Sequence, residues 1–217
     1  DDIDPINGWN PTDIHVRIYE QDTPIMKAVS FRNQAEEAGR ITRQSPFHPR
    51  TSQLTQDFQV AQDLWLPSHF DGTGWVEEYW ACKENATMQD MSSLRKYDII
   101  GPDAEELLQH CMTRNIAKLA EHRGLYALIC DDRGSVIDDG TLFRMEHTTF
   151  RWLCGSENSA LHLREVAKTL GLRVWVRCQN ESIANLAIQG PRSRDILREI
   201  VVERRGRPSI DNIKWFG

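Results

Sequence analysis

Two consecutive acids, Asp138 and Asp139, follow Ser135-Val136-Ile137 at a point where a strand would prefer apolar side chains. The run before them, Tyr126 to Cys130, is apolar and strand-like, and Asp131-Asp132-Arg133-Gly134 between the two is turn chemistry. Successive strand side chains point to opposite faces, so one acid faces solvent while the other faces inward. An inward carboxylate needs a partner or a task. A carboxylate can orient a donor group and stabilise positive charge that develops nearby. The plainer reading is a pair of acids that ends a strand.

The chain has 217 residues, enough for one large domain or two small ones with a sizeable core. A formal net charge of -6 argues against general nucleic-acid binding, which needs a basic face, and leaves room for a local basic pocket. Cys82, Cys111, Cys130, Cys154 and Cys178 are odd in number, widely spread and without a CxxC pair. That pattern predicts buried thiols in a reducing compartment and no metal site. No run approaches a membrane span, so a cytoplasmic protein without membrane partners is expected. The chain opens on Asp1 rather than Met, which suggests a trimmed N-terminus.

The elements that must carry the acids follow from pattern and punctuation. Residues 1–44 are polar, with a short strand expected at His15–Tyr19 and a helix at Gln34–Ala38. Residues 1–50 are predicted to be an arm or lid, and 51–217 the main domain. Ser45 to Arg50 should be non-helical, because each Pro restricts its predecessor, with His48 a surface loop residue. Leu64 to Phe70 is either an ordered loop over a pocket or plain core. Val76–Ala86 reads as a helix with Trp75, Tyr79, Cys82 and Ala86 on one stripe. Lys96–Ile100 is a strand ending in Gly101-Pro102 and leading into an amphipathic helix to Cys111, with Ala104, Leu107, Leu108 and Cys111 inward. The same order recurs later. Ile183–Gln189, then Gly190-Pro191, leads into a helix from Arg192 to Val202 with Ile196, Leu197 and Ile200 inward. Two strand–Gly-Pro–helix units imply related split β-α-β elements that share one sheet layer or pack as a pair. Between them lie a strand at Phe150–Cys154, a helix from Ser159 that stops at Gly171, and an alternating strand at Leu172–Cys178. The predicted class is α+β, with a mixed, largely antiparallel sheet and outer helices. The apolar end Trp215-Phe216-Gly217 suggests a missing following domain or a contact between copies of the chain.

From about Leu66 onward the order of motifs resembles the aminomethyltransferase family, that is, the glycine cleavage T-protein and its relatives. The likeness rests on Pro67-Ser68-His69-Phe70, Asp90-Met91-Ser92-Ser93 and Ile100-Gly101-Pro102-Asp103-Ala104. It continues through Asn115-Ile116-Ala117-Lys118-Leu119, Tyr126, Gly134-Ser135-Val136-Ile137-Asp138-Asp139 and Ile188-Gln189-Gly190-Pro191. The resemblance implies tetrahydrofolate as cofactor, held in a central channel, with Asp138 first, or Asp139, beside the pterin and acting in transfer. It places Tyr126 in the same pocket and adds Asn115 and Met91 to the cofactor contacts. It also implies a small amine or methylated donor as the other substrate.

The sequence departs from the family pattern at four places. Gly134-Ser135 replaces a double glycine, Gly140 a large aliphatic, Gly155 an Asn, and Ser93 a His. The family's unit also runs past residue 217, so a fragment is expected. Three functions stay open: a tetrahydrofolate-dependent aminomethyl- or methyltransferase, a folate-binding accessory domain of a demethylating oxidase, and a non-catalytic folate-binding relative. The chain has no dinucleotide fingerprint. A hydrolase at Cys154 or Ser156 lacks a Gly-x-Ser-x-Gly elbow.

Overall fold

A computed structural model describes residues 43–203, 209–213 and 216. The strand expected at His15–Tyr19, the helix at Gln34–Ala38 and most of the 1–50 arm lie outside the described residues. The chain divides into two compact units that part between Ser68 and His69.

In the first unit, β1 (Arg43–Gln44), α1 (His48–Thr51), β2 (Phe58–Ala61) and β3 (Leu64–Pro67) form a small sheet ordered β1-β3-β2 with one helical turn. The turn corrects the expectation of a non-helical Ser45–Arg50. Pro49 falls in the first turn of α1, where its missing N–H has no helical partner to lose. His48 heads that turn with its ring 4.9 Å from that of Phe58. Leu64–Pro67, undecided in the sequence, is a strand, and its Leu66 is buried.

The second unit opens with α2 (Gly74–Glu84) and β4 (Thr87–Asp90), followed by β5 (Arg95–Ile100) and α3 (Ala104–Cys111). A 3-10 turn at Ile116–Lys118 leads to β6 (Gly124–Cys130), β7 (Val136–Glu146) and β8 (Thr149–Cys154). Then come α4 (Asn158–Leu170), β9 (Trp175–Cys178), β10 (Leu186–Gln189), α5 (Ser193–Ile200) and a 3-10 turn at Ile210–Asn212. One sheet has five antiparallel strands ordered β6-β7-β8-β5-β9, and β4 pairs with β10 in a separate antiparallel ribbon. The expected α+β class therefore holds.

The helices α3 and α4 cover one face of the five-stranded sheet. Ala104, Leu107, Leu108 and Cys111 of α3 are all buried, as their spacing requires. They meet Ile99, Ile129, Leu142, Phe150 and Trp152 from the strands and Ala160, Leu163 and Ala167 from α4. Burial pushes the Cys111 thiol up to about 11, which keeps it a neutral core residue. Gly171 ends α4 in the left-handed conformation, and Val176 is the buried member of the alternating strand that follows.

The strand–Gly-Pro–helix echo is real at the level of backbone geometry. Ile100, the last residue of β5, lies opposite Trp175, the first of β9; Gln189, the last of β10, lies opposite Thr87, the first of β4. A Cβ on Gly101 would sit 2.2 Å from the carbonyl oxygen of Arg173, and one on Gly190 would sit 2.5 Å from that of Asn85. Each carbonyl stands two residues before the paired strand. Both glycines also have positive φ, +149° and +127°. The copies head separate sheets, so a single shared sheet layer is ruled out.

Their helices meet different fates. Ile196 and Ile200 of α5, expected inward, are 40% and 63% exposed, and no residue of α5 is buried. Likewise Trp75 and Tyr79 of α2 are exposed. A two-stranded ribbon offers too little surface to bury a helix face on either side. The Phe216 carbonyl accepts a hydrogen bond from the Gly124 amide at 2.9 Å, which ties the C-terminal end to the start of β6. Among the described residues no helix is long and apolar enough to cross a membrane.

The backbone contact at the first Gly-Pro predicts that Gly101→Ala destabilises by ~2–4 kcal/mol, from φ strain plus the carbonyl clash. Gly72→Ala, with φ +84° but open space about the missing Cβ, should cost only ~1 kcal/mol. Urea unfolding of the two variants checks the difference.

Candidate functional site

The turn between β6 and β7 is built by Asp131. Its carboxylate accepts the amides of Arg133 at 2.9 Å and Ser135 at 2.8 Å. Those bonds hold its pKa below the usual carboxylate range, the Ser135 bond foremost. The resulting register sets Tyr126 opposite Thr141, Leu128 opposite Asp139 and Ile129 opposite Asp138, with a bulge at Ile129/Cys130. Tyr126, Leu128, Asp139 and Thr141 therefore share one face. Ala127, Ile129 and Asp138 share the other, which is the core face.

The two acids part accordingly. Asp139 is exposed, and one of its carboxylate oxygens accepts a hydrogen bond from the Tyr126 hydroxyl. The two residues are diagonal neighbours across the strands, within reach of a long aromatic side chain. That hydrogen bond, with the charge of Asp139 beside it, raises the Tyr126 phenol above its ordinary value. Tyr126 itself is 46% exposed, so the pair forms an open polar edge with a flat ring beside it.

Asp138 is 8% exposed and fully engaged. Its Oδ1 accepts the Asp139 amide at 2.9 Å. Its Oδ2 accepts the Ser156 amide at 3.0 Å and the Ser159 hydroxyl at 3.1 Å. The pairing of β7 with β8 stops at Gly140 opposite Cys154. Two residues further on in each strand, the Asp138 carboxylate accepts the Ser156 amide in place of a continuing strand. The Asp139 and Ser156 amides at this strand end are thereby paired.

The departures at Gly140 and Gly155 belong to this arrangement. A Cβ on Gly140 would lie 2.1 Å from the Leu153 carbonyl oxygen and 3.1 Å from the Trp152 ring. The strands approach too closely there for a side chain, and the fully buried Trp152 indole occupies the space beside it. A Cβ on Gly155 would stand 3.4 Å from the Asp138 carboxylate, an ordinary contact.

The remaining sequence candidates sit on other segments. Asn115 precedes the 3-10 turn and lines a recess of about 350 Å³ with Arg114, Lys118 and Arg123, beside Leu125 of β6. Met91 begins the turn after β4, and its amide donates to the Asn185 carbonyl at 2.9 Å. On the outer face, Thr141 lies opposite both Tyr126 and Leu153. Leu153 in turn lines a recess of about 260 Å³ with Lys96, Phe143, Arg151 and Asn185. Lys96 is fully buried and donates to the Ser92 carbonyl at 2.8 Å; Arg151 makes a two-bond ion pair with Asp98. Sequence reasoning missed Lys96, Arg151 and Ser159. Ser159 did leave a signal, because it is a polar residue on the inward stripe of α4 with Leu163 and Ala167. Among the described residues no group of three or more His, Cys, Asp or Glu could hold a metal ion.

Residues 47–215 match the family described as the GCVT N-terminal domain. The chain belongs to that family. A trimethylamine-oxide aldolase of Ruegeria pomeroyi is 39% identical over 216 residues, which is 100% of this chain and 27% of that protein. An aminomethyltransferase of Corynebacterium aurimucosum is 29% identical over 170 residues, covering 77% of this chain and 45% of the relative. The crystal structure of the glycine cleavage system aminomethyltransferase T from Bartonella henselae superposes with a TM-score of 0.64 at 21% identity. It covers 72% of this chain and 43% of that one, and it supports the fold. The chain thus spans less than half the length of each of these three proteins.

Within this GCVT N-terminal domain the Tyr126–Asp139 contact predicts a measurable titration. With [13Cζ]-tyrosine labelling and Tyr126→Phe for assignment, the Tyr126 midpoint should lie above that of a free tyrosine. It should fall in Asp139→Asn, which weakens the acceptor and removes its charge. Equal midpoints in the two proteins would mean that the pair does not form.

Proposed function

We propose that this domain binds tetrahydrofolate on the outer face of its five-stranded sheet and presents it as the acceptor of a one-carbon unit. The observation that carries the reading is the Tyr126–Asp139 pair, open to solvent on the β6–β7 hairpin of a GCVT N-terminal domain. A pterin is a flat ring edged with N–H donors. Tyr126 offers a flat wall, and a carboxylate has acceptor capacity for both a tyrosine hydroxyl and a ligand N–H. When bound, tetrahydrofolate supplies the nucleophilic nitrogen that takes up the one-carbon unit.

Asp139 is assigned the charge-stabilising role: its carboxylate orients the ring and favours positive charge arising at the acceptor nitrogen. Asp138, buried on the core face with each oxygen accepting at least one protein donor, is assigned to holding Asp139 in place. Lys96, Arg151 and Asn185 line the neighbouring recess, and Asn115 and Met91 are assigned to the outer contacts of the same ligand. The donor is a small amine or a methylated compound, and the reaction an aminomethyl or methyl-group transfer.

A second reading has its own support. The whole chain aligns within a relative named trimethylamine-oxide aldolase, of which it is about a quarter. On that reading the domain serves a longer protein that degrades a methylated amine, and its task is to capture the one-carbon unit released elsewhere in that protein.

Calorimetric titration of tetrahydrofolate into this chain and into its full-length protein tests both readings. Binding should weaken about 10- to 100-fold in Asp139→Asn, the worth of one hydrogen bond to a charged group. No binding by either wild-type form would overturn the proposal. If binding holds, assaying the full-length protein with glycine-derived aminomethyl donors against methylated amine oxides separates transferase from capture domain.

A further inference from the structure

The Ser159 hydroxyl lies at the centre of a buried network, and one placement of the protons gives each of its groups a partner. Ser159 and Trp152 are 0% exposed and Cys154 is 2% exposed. The Trp152 Nε1–H can only donate, and it points to Ser159 Oγ at 3.2 Å. The Cys154 thiol lies 3.3 Å from the Ser156 carbonyl and 3.2 Å from Ser159 Oγ. Burial pushes that thiol up to about 12, so it keeps its proton as a donor. Ser159 has one proton and three acceptors in reach: the Ser156 carbonyl at 3.0 Å, Asp138 Oδ2 at 3.1 Å and the weakly accepting Cys154 sulfur at 3.2 Å. Giving the thiol proton to the carbonyl and the hydroxyl proton to the carboxylate satisfies every group, and the bond to the charged acceptor is the stronger one. The Trp152 N–H then donates to Ser159, the Ser159 O–H donates to Asp138, and Asp138 in turn accepts the backbone N–H of Asp139.

We propose that Ser159 is a positioning residue for Asp139: through Asp138 it fixes the end of β7 and thereby the carboxylate that meets Tyr126 and the folate ring. The inference rests on the folate reading for its functional meaning, although the positioning itself has a readout of its own. Gly140 belongs to the same device, because its missing side chain leaves the space that the Trp152 indole needs.

The test compares Ser159→Ala with Leu163→Ala in the intact chain. Leu163 is also fully buried on α4 but makes no bond in the network. The Tyr126 titration without ligand reports the placement of Asp139, and calorimetry reports tetrahydrofolate affinity. Ser159→Ala should lower the Tyr126 midpoint toward that of Asp139→Asn and weaken folate about tenfold. Leu163→Ala should reduce thermal stability at least as much and leave both readouts at their wild-type values. An unchanged Tyr126 midpoint in Ser159→Ala, or an equal fall in Leu163→Ala, overturns the proposal. Should Ser159→Ala not fold, Trp152→Phe, which removes the donor to Ser159, is read in the same way. Absence of folate binding in the wild type would overturn the function alone, since the Tyr126 titration decides the positioning by itself.

Discussion

The five-stranded sheet has to be dry on one face and available on the other, and β7 is where both demands fall on adjacent residues. Asp138 and Asp139 are one residue apart, so the pleat sends them to opposite sides. A buried carboxylate is costly unless donors meet it. Here three donors do: two backbone amides and one hydroxyl. The inward acid therefore serves as a piece of backbone, pairing amides where β8 has ended. That arrangement fixes the β7 register, and the register in turn brings Asp139 under the Tyr126 hydroxyl. A slip of one residue would bury Asp139 and expose Asp138, and the open pair would not exist.

Two of the four departures from the family pattern, Gly140 and Gly155, fall within this arrangement. A large aliphatic at position 140 could not coexist with the present approach of β7 to Leu153 or with the indole of Trp152. Gly140 and Trp152 together fill the volume beneath the hairpin, with the bulk on β8 and none on β7. The indole also brings an N–H, and Ser159 gives that N–H a place to go. Gly155 lies beside the Asp138 carboxylate with room for a Cβ, and the Ser156 amide that follows it completes the donor set. Read singly, the substitutions look like erosion of a site. Read together, they surround a carboxylate with no unmet acceptor.

Much of this was legible in the sequence. The hairpin, the inward face of α3, the stop at Gly171 and the alternation ending at Val176 all followed from local pattern, because each is settled by neighbours in sequence. The exposure of α2 and α5 was not legible. Periodicity specifies that a helix has an apolar face, and says nothing of what covers it; Ile196 and Ile200 have the spacing of core residues beside a ribbon too narrow to bury them. Which acid faces outward was also beyond the sequence, because a bulge between Ile129 and Cys130 enters the register there. Ser159 was read only as the start of a helix, since its partners lie 3 to 21 residues away and meet only once β7, β8 and α4 are assembled.

The internal echo bears on where the proposed site lies. Each copy has a helix, a strand, an antiparallel partner and a Gly-Pro whose glycine rests on a backbone carbonyl. In the first copy the chain leaves α3 and makes β6, β7 and β8 before it returns through α4 to β9. Those three strands add to the free side of β5 and give the core its breadth. In the second copy the helix and strand, α2 and β4, come before the Gly-Pro strand β10 in the chain, and the described residues leave the ribbon narrow. The repeated elements supply a scaffold with the same local geometry twice, but Tyr126, Asp138, Asp139 and Trp152 all belong to the meander that only the first copy contains. Ser159 stands at the first turn of the helix that closes that meander. The proposed folate site thus lies in the connection between the scaffold elements, and that connection is itself a sheet with a buried carboxylate at its end.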